Sequence, residues 1–137
     1  MKVDVIVATY WPDHEKFWPA VRDGIIANLS WILNVYVVSD GVIKKPDGFE
    51  LPWNFISTPK REVGIGLSHS LNVGLEQTTA DYILIIEGDE ILEPGSIEKS
   101  CEFAEPGKLI ACPKRYVDPD DYNKILEEDH RTSTMDW

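Results

Sequence analysis

The chain has 137 residues, of which 43% are hydrophobic, and these values are typical of one globular domain with a single core. Acidic residues outnumber basic residues by 24 to 13, and the formal net charge of −11 excludes a protein that binds nucleic acid through a basic surface. No apolar run reaches the roughly 18 residues of a membrane-spanning helix. We therefore expect a cytoplasmic protein with no transmembrane segment.

The first half of the chain alternates strand patterns with helical segments. Residues 3–9 form a nearly continuous β-branched run, which is typical of a strand buried on both faces of a parallel sheet. Asp13 is a suitable cap for a helix that runs to about Leu29. A second buried strand is predicted at 35–41, and a short strand follows at 55–58 after a loop rich in proline, glycine and lysine.

The second half continues the alternation of helices and strands. A helix is predicted from about Gly66 to Thr78, followed by a strand at 82–86 and a helix that begins near Pro94. A fifth strand at 109–112 and a short acidic helix at 122–128 complete the predicted elements. Strands that alternate with helices imply βαβ units, and hence a mainly parallel sheet covered by helices on both faces.

Polar side chains mark the ends of three predicted strands. Thr9 and Tyr10 lie at the end of the first strand, Asp40 lies at the end of the second, and Glu87 and Asp89 follow the fourth. In open parallel sheets, ligands bind at the carboxyl ends of the strands. Carboxylates at such an edge suit Mg²⁺ or Mn²⁺, which complete their coordination with phosphate oxygens and water. The sequence predicts a metal that recruits a diphosphate to an acidic protein; the alternative is a solvated acidic turn without a ligand.

Four stretches carry a further signal through their order and spacing. They are the strand ending in Thr9-Tyr10, the strand ending in Asp40-Gly41, the glycine-led helix with Asn72-Val73-Gly74, and Glu87-Gly88-Asp89-Glu90 with Pro94. Together they resemble the nucleotide-sugar-dependent glycosyltransferases of the GT-A fold, in particular the large inverting family 2. The resemblance covers about the first 100 residues.

The resemblance implies a GT-A fold, an α/β Rossmann-like three-layer sandwich with a mainly parallel sheet, shortened here at the C-terminus. It implies one domain over residues 1–137, with a nucleotide-sugar and metal-binding part at 1–100 and a short extension at 101–137.

The resemblance also implies roles for individual residues. Thr9 and Tyr10 would border the nucleoside, and Asp40 would hold the base. Asn72 would be a further nucleotide-binding residue, although a hydrogen bond from the helix to a loop is the alternative for it. Asp89 would be the first ligand of Mn²⁺ or Mg²⁺, and Glu87 the second.

Three departures from the family pattern limit this interpretation. Glu87 replaces the usual first aspartate of the metal motif, and Leu71 stands where arginine usually precedes the asparagine. The half that binds the acceptor and supplies the catalytic base is almost absent. The segment 127–130 resembles the acidic motif that carries the base and makes Asp129 the candidate, with a solvated acidic helix end as the alternative. His14 and His69 are interpreted as exposed polar residues.

The implied function is metal-dependent transfer, with inversion, from a UDP- or GDP-linked sugar to an unknown acceptor. The alternative is a non-catalytic nucleotide-sugar-binding domain, or one whose acceptor half comes from a partner chain or from a second copy in a homo-oligomer.

Overall fold

The structure is a computed structural model that describes residues 1–45, 53–60, 66–111, 114–129 and 133–136. The chain divides into two compact units, Met1–Glu98 and Lys99–Trp137, and each is described by itself. Within the described ranges, no helix combines the length and the apolar character needed to cross a membrane.

A parallel sheet forms the centre of the first unit. Its strands are β1 (Val3–Thr9), β2 (Ile32–Asp40), β3 (Asn54–Thr58) and β4 (Tyr82–Glu87). Within the described part of the chain, the four strands lie in the order β3-β2-β1-β4, and all neighbours are parallel. Every residue of β1 is buried, as its continuous apolar run predicts for a central strand. The predicted α/β fold class with a mainly parallel sheet is confirmed.

In the described residues, the α-helices are α1 (Trp11–His14), α2 (Trp18–Ile26), α3 (Gly66–Gln77) and α4 (Ser96–Cys101). The unbroken helix expected from Asp13 to Leu29 is wrong, because a 3-10 turn at Glu15–Phe17 separates α1 from α2. Both helices carry a proline within their first two positions. Proline is tolerated there because the first helical N–H groups need no partner in the helix, whereas an interior proline breaks it.

Helices cover both faces of the sheet. Trp18 at the start of α2 packs against Phe55 of β3, with 5.6 Å between ring centroids. Gly74 of α3 lies on Ile6 of β1, where an added Cβ would be 2.6 Å from Ile6 Cγ2. Phe55 pairs with Val37, whereas Ile6 pairs with the residue before Val37, so the two contacts lie on opposite faces. The sheet is thus the middle of three layers.

A buried carboxylate fixes the connection between α3 and β4. Asp4 is fully buried, and its Oδ2 accepts hydrogen bonds from the backbone N–H groups of Thr79 at 2.6 Å and Ala80 at 2.9 Å. Its Oδ1 accepts a hydrogen bond from Asn34 Nδ2 at 2.8 Å. Burial raises the pKa of Asp4, but the hydrogen bonds outweigh burial and hold the pKa below its ordinary value of 3.8. The start of β4 is therefore anchored beside β1.

In the part of the second unit that the structure describes, there are two antiparallel strand pairs. Strand β5 (Lys108–Ala111) pairs with β8 (Ser133–Asp136), and β6 (Lys114–Asp118) pairs with β7 (Asp121–Asp129). The expected fifth strand is present, but in the described residues it pairs with β8 and not with the parallel sheet.

The acidic helix expected at 122–128 is wrong, because this segment forms β7. Asp118 Oδ1 accepts a hydrogen bond from the Asp120 N–H at 2.9 Å and so forms the tight turn between β6 and β7. The turn brings β7 back along β6, and the cross-strand hydrogen bonds override the helical preference of the lysine, leucine and two glutamates in this segment.

Candidate functional site

The carboxyl ends of three neighbouring strands meet at one edge of the sheet. Thr9 at the end of β1 pairs with Ser39 of β2, and Ala8 pairs with Glu87 of β4. Asp40 is the last residue of β2 and follows Ser39 directly. The structure therefore brings the predicted residues Thr9, Asp40 and Glu87 to a common edge, where an open parallel sheet binds its ligands.

The acidic turn, residues Glu87–Glu90, closes directly after β4. The Glu90 N–H donates to the Glu87 carbonyl oxygen at 3.0 Å, and Glu90 Oε2 accepts a hydrogen bond from the Glu87 N–H at 2.8 Å. Glu90 is thus used in closing the turn. The Glu87 and Asp89 side chains are exposed, so their carboxylates face solvent beside the strand ends.

Gly88 presses the acidic turn against the end of β1. It is buried, and its N–H donates to the Ala8 carbonyl oxygen at 2.9 Å. A Cβ added at this position would overlap with Thr9 Oγ1 and would contact His14 Nδ1. Glycine is therefore required for close approach, and this approach places the two exposed carboxylates next to the Thr9–Tyr10 segment.

Asp40 lies against the start of α3. A Cβ added to Gly66, the first residue of the helix, would overlap with Asp40 Oδ2. A carboxylate at a helix N-terminus is stabilised by the helix dipole, so this contact gives Asp40 a structural role. The following residue, Gly41, has a φ of +97°, and its N–H donates to the Thr58 carbonyl oxygen at 2.9 Å. The predicted role of Asp40 in holding a base stays a prediction.

Tyr10 brings a cation to the same edge. Lys60 Nζ lies 5.5 Å from the centroid of the Tyr10 ring, within the range of a cation–π interaction. The Tyr10 N–H donates to His14 Nδ1 at 3.2 Å. Both the Tyr10 ring and the Lys60 ammonium group therefore border the strand ends, and Lys60 provides positive charge that would attract an anionic ligand.

Asn72 lies away from this edge, and Asp129 belongs to the second unit, which is described by itself. Asn72 is exposed on α3, six positions after Gly66, which corresponds to about 9 Å along the helix axis. Asp129 is the last residue of β7 in the second unit, and its side chain lies outside the described part of the structure. Their predicted roles in nucleotide binding and catalysis stay predictions.

The sequence interpretation missed His14. It is half-buried, and Nδ1 lies 3.0 Å from Thr9 Oγ1, so the expectation of an exposed residue is wrong. A local signal exists for this contact: the Pro12 turn starts α1 directly after Tyr10, and one helical turn returns residue 14 to the end of β1.

The donor set of the acidic turn suits a hard divalent cation. The described residues contain no group of three or more histidine, cysteine, aspartate or glutamate side chains that could hold a metal ion. Glu87 and Asp89 offer two exposed carboxylates. Mg²⁺ and related ions are often held by one or two protein carboxylates, with water and phosphate oxygens as the other ligands. The residues present fit a metal that arrives together with a phosphate-bearing ligand.

Comparison with known proteins gave two findings. The sequence model of the family described as glycosyl transferase family 2 matches residues 43–135. Among solved structures, the chain is similar to the crystal structure of S. aureus TarS 1–349, with a TM-score of 0.56 and 21% sequence identity over 75% of this chain.

The two findings differ in what they cover. The aligned region is 32% of the TarS chain, so this chain spans about a third of its length, and the likeness shows the fold. The family match includes the acidic turn and Asn72 and begins after Asp40. The curated proteins contain no match to this sequence.

Proposed function

The chain belongs to glycosyl transferase family 2, and on that premise we propose that it transfers a sugar from a UDP- or GDP-linked donor to an acceptor hydroxyl, with inversion. The observation that carries the proposal is the position of the acidic turn. It follows β4 directly and packs through Gly88 against the Thr9–Tyr10 segment, where a nucleoside would lie. One ligand at this edge would therefore contact both the nucleoside segment and the acidic carboxylates.

A divalent metal accounts for an acidic turn in a protein of net charge −11. We assign Asp89 as the first ligand of Mn²⁺ or Mg²⁺, with Glu87 as the second through its longer side chain. When bound, the metal would offset the negative charge that develops on the departing nucleoside diphosphate. Lys60 at the same edge would add positive charge for the diphosphate.

The protein residues would orient the donor and remove one proton. Thr9 and Tyr10 border the nucleoside, and Asp40 holds the base. The acceptor oxygen forms a bond to the anomeric carbon from the side opposite the diphosphate, the bond from that carbon to the diphosphate oxygen breaks, and the configuration inverts. A general base takes the proton of the acceptor hydroxyl, and Asp129 is the candidate.

A second candidate function is that of a nucleotide-sugar-binding domain, with the acceptor half provided by a partner chain or a second copy. Glu87 in place of the usual first aspartate of the metal motif favours donor binding without transfer as the alternative. Such a domain would bind the donor in a metal-dependent manner without transferring the sugar by itself.

The experiment that separates these functions measures release of the nucleoside diphosphate. The protein is incubated with UDP- and GDP-sugars and Mn²⁺, with and without a panel of sugar and polyol acceptors. Release that needs an acceptor, falls in Asp89→Asn and gives a product of inverted anomeric configuration by NMR supports transfer. Donor binding without release supports the binding domain, and absence of both binding and release refutes the two proposals together.

A further inference from the structure

His14 connects the end of β1 to the acidic turn. As the last residue of α1, it places Nδ1 3.2 Å from the Tyr10 backbone nitrogen and 3.0 Å from Thr9 Oγ1. The same nitrogen borders Gly88, since a Cβ added to that glycine would meet both Nδ1 and Thr9 Oγ1. One imidazole therefore contacts the segment expected to border the nucleoside and the turn expected to bind the metal.

The contact with Tyr10 fixes the tautomer of the ring. A backbone N–H can only donate, so His14 Nδ1 must be the acceptor. A neutral imidazole with an unprotonated Nδ1 carries its proton on Nε2. The Thr9 hydroxyl can rotate to donate to the same nitrogen or to accept a hydrogen bond from elsewhere, whereas the Tyr10 N–H has no such freedom.

We propose that His14 is a positioning residue, which acts through Nδ1 to hold the acidic turn and the Thr9–Tyr10 segment in one relative geometry. This role rests on the proposed function, because it acts through the metal ligands Asp89 and Glu87 and not through a contact of its own with the donor. The imidazole packs closely against Gly88, with no space for even a Cβ between them. A shift of the ring would therefore move the acidic turn.

Three substitutions distinguish the contribution of Nδ1 to nucleotide binding from that of Nε2. His14→Asn keeps an acceptor at the place of Nδ1, since Asn Oδ1 is the same number of bonds from the backbone. His14→Gln places its amide near the position of Nε2 and removes the acceptor at Nδ1. His14→Leu keeps similar volume and removes both polar groups. We expect Asn to bind UDP or GDP with Mn²⁺ as the wild type does, and Gln and Leu to bind about tenfold more weakly.

Each substitution has an outcome that decides between roles. Binding that Gln preserves and Asn loses would overturn the proposal, because Nε2 would then be the functional nitrogen. Equal affinity in all three variants and the wild type would overturn it as well. Thermal unfolding of each variant shows whether a loss of affinity is caused by a loss of the fold. His14→Asn must remain folded, because it is expected to bind as the wild type does.

A measurement on the wild type alone keeps the proposal testable if the variants do not fold. Nitrogen-15 NMR of the histidine rings, above the usual titration range of histidine, reports the tautomer directly. The His14 ring is assigned in the wild type through its contact with Thr9, and we expect it to carry its proton on Nε2. A proton on Nδ1 would overturn the proposal.

Absence of nucleotide binding by the wild type would refute the proposed function and this role with it. Wild-type binding that is unchanged in His14→Leu would refute only the role of His14.

Discussion

Replacing Asp4 by asparagine should destabilise the chain, because this residue anchors the start of β4. Its carboxylate is fully buried and accepts hydrogen bonds from two backbone N–H groups and one side-chain amide. Asparagine keeps one acceptor oxygen but turns an NH₂ group towards these donors. A hydrogen bond to a charged group contributes about 1.5–3 kcal/mol to stability. Asparagine can lose up to two of the three bonds, and because their contributions are not additive we expect the free energy of unfolding to fall by about 3 kcal/mol.

The assay is urea denaturation at neutral pH, followed by tryptophan fluorescence. The matched control is Asp81→Asn, which removes the same charge from an exposed side chain close to β4 and should change the free energy of unfolding by less than about 0.5 kcal/mol. If Asp4→Asn costs no more than this control, the anchoring role of Asp4 is refuted.

The effect of Asp4 should also depend on pH. The folded-state pKa lies below the ordinary value of 3.8, so the stabilisation is fully present above that value and is lost as the pH falls through the lowered pKa. The difference in unfolding free energy between wild type and Asp4→Asn should therefore shrink in acid below pH 3.8. A difference that stays constant in this range would contradict the assignment.

Three further predictions concern the carboxyl edge and its support. Gly88→Ala should lower the free energy of unfolding by about 1–3 kcal/mol and weaken metal-dependent nucleotide binding, since its Cβ overlaps with Thr9 Oγ1; unchanged calorimetric affinity would argue against the role of the acidic turn. Asn28→Ala should lower the free energy of unfolding in urea by about 2–3 kcal/mol. The buried Asn28 side chain donates hydrogen bonds to the carbonyl oxygens of residues 24 and 93 and accepts one from the N–H of residue 97. Asp40→Asn should cost about 0.5–1 kcal/mol at the start of α3 and weaken UDP or GDP binding about tenfold; a loss of stability alone would leave Asp40 as a helix cap only.

The buried strands could be predicted from the sequence because their signal is local. In β1 and the buried part of β2, apolar residues follow one another without alternation, and this pattern occurs where both faces of a strand are covered. The start of α3 was also predicted, since the glycine-led segment placed the helix start at about Gly66, where the structure has it. Because the strands are parallel, their carboxyl ends were then expected to meet at one edge of the sheet, together with the polar residues that mark them.

The 122–128 strand and the role of Asp4 depend on contacts that local patterns do not contain. The 122–128 segment has a helical composition, but the turn at Asp118 commits it to pairing with β6. Asp4 reads as one polar residue in a buried strand, and the N–H groups that require it lie 75 positions and more along the chain. The sequence therefore indicates which residues follow the strands, and the fold decides which of them meet.

The most direct test of the account is calorimetric titration with UDP, GDP and their sugar conjugates, with and without Mn²⁺, on the wild type and Asp89→Ala. Glu76→Ala is the matched control, because it also removes one exposed carboxylate. Glu76 lies at the C-terminal end of α3, whereas the N-terminal end of this helix lies against Asp40. The account predicts metal-dependent binding of at least one nucleotide that Asp89→Ala loses and Glu76→Ala retains. No binding of any nucleotide with or without metal, or equal binding by wild type and Asp89→Ala, would contradict the assignment of the acidic turn as a metal and nucleotide-sugar site.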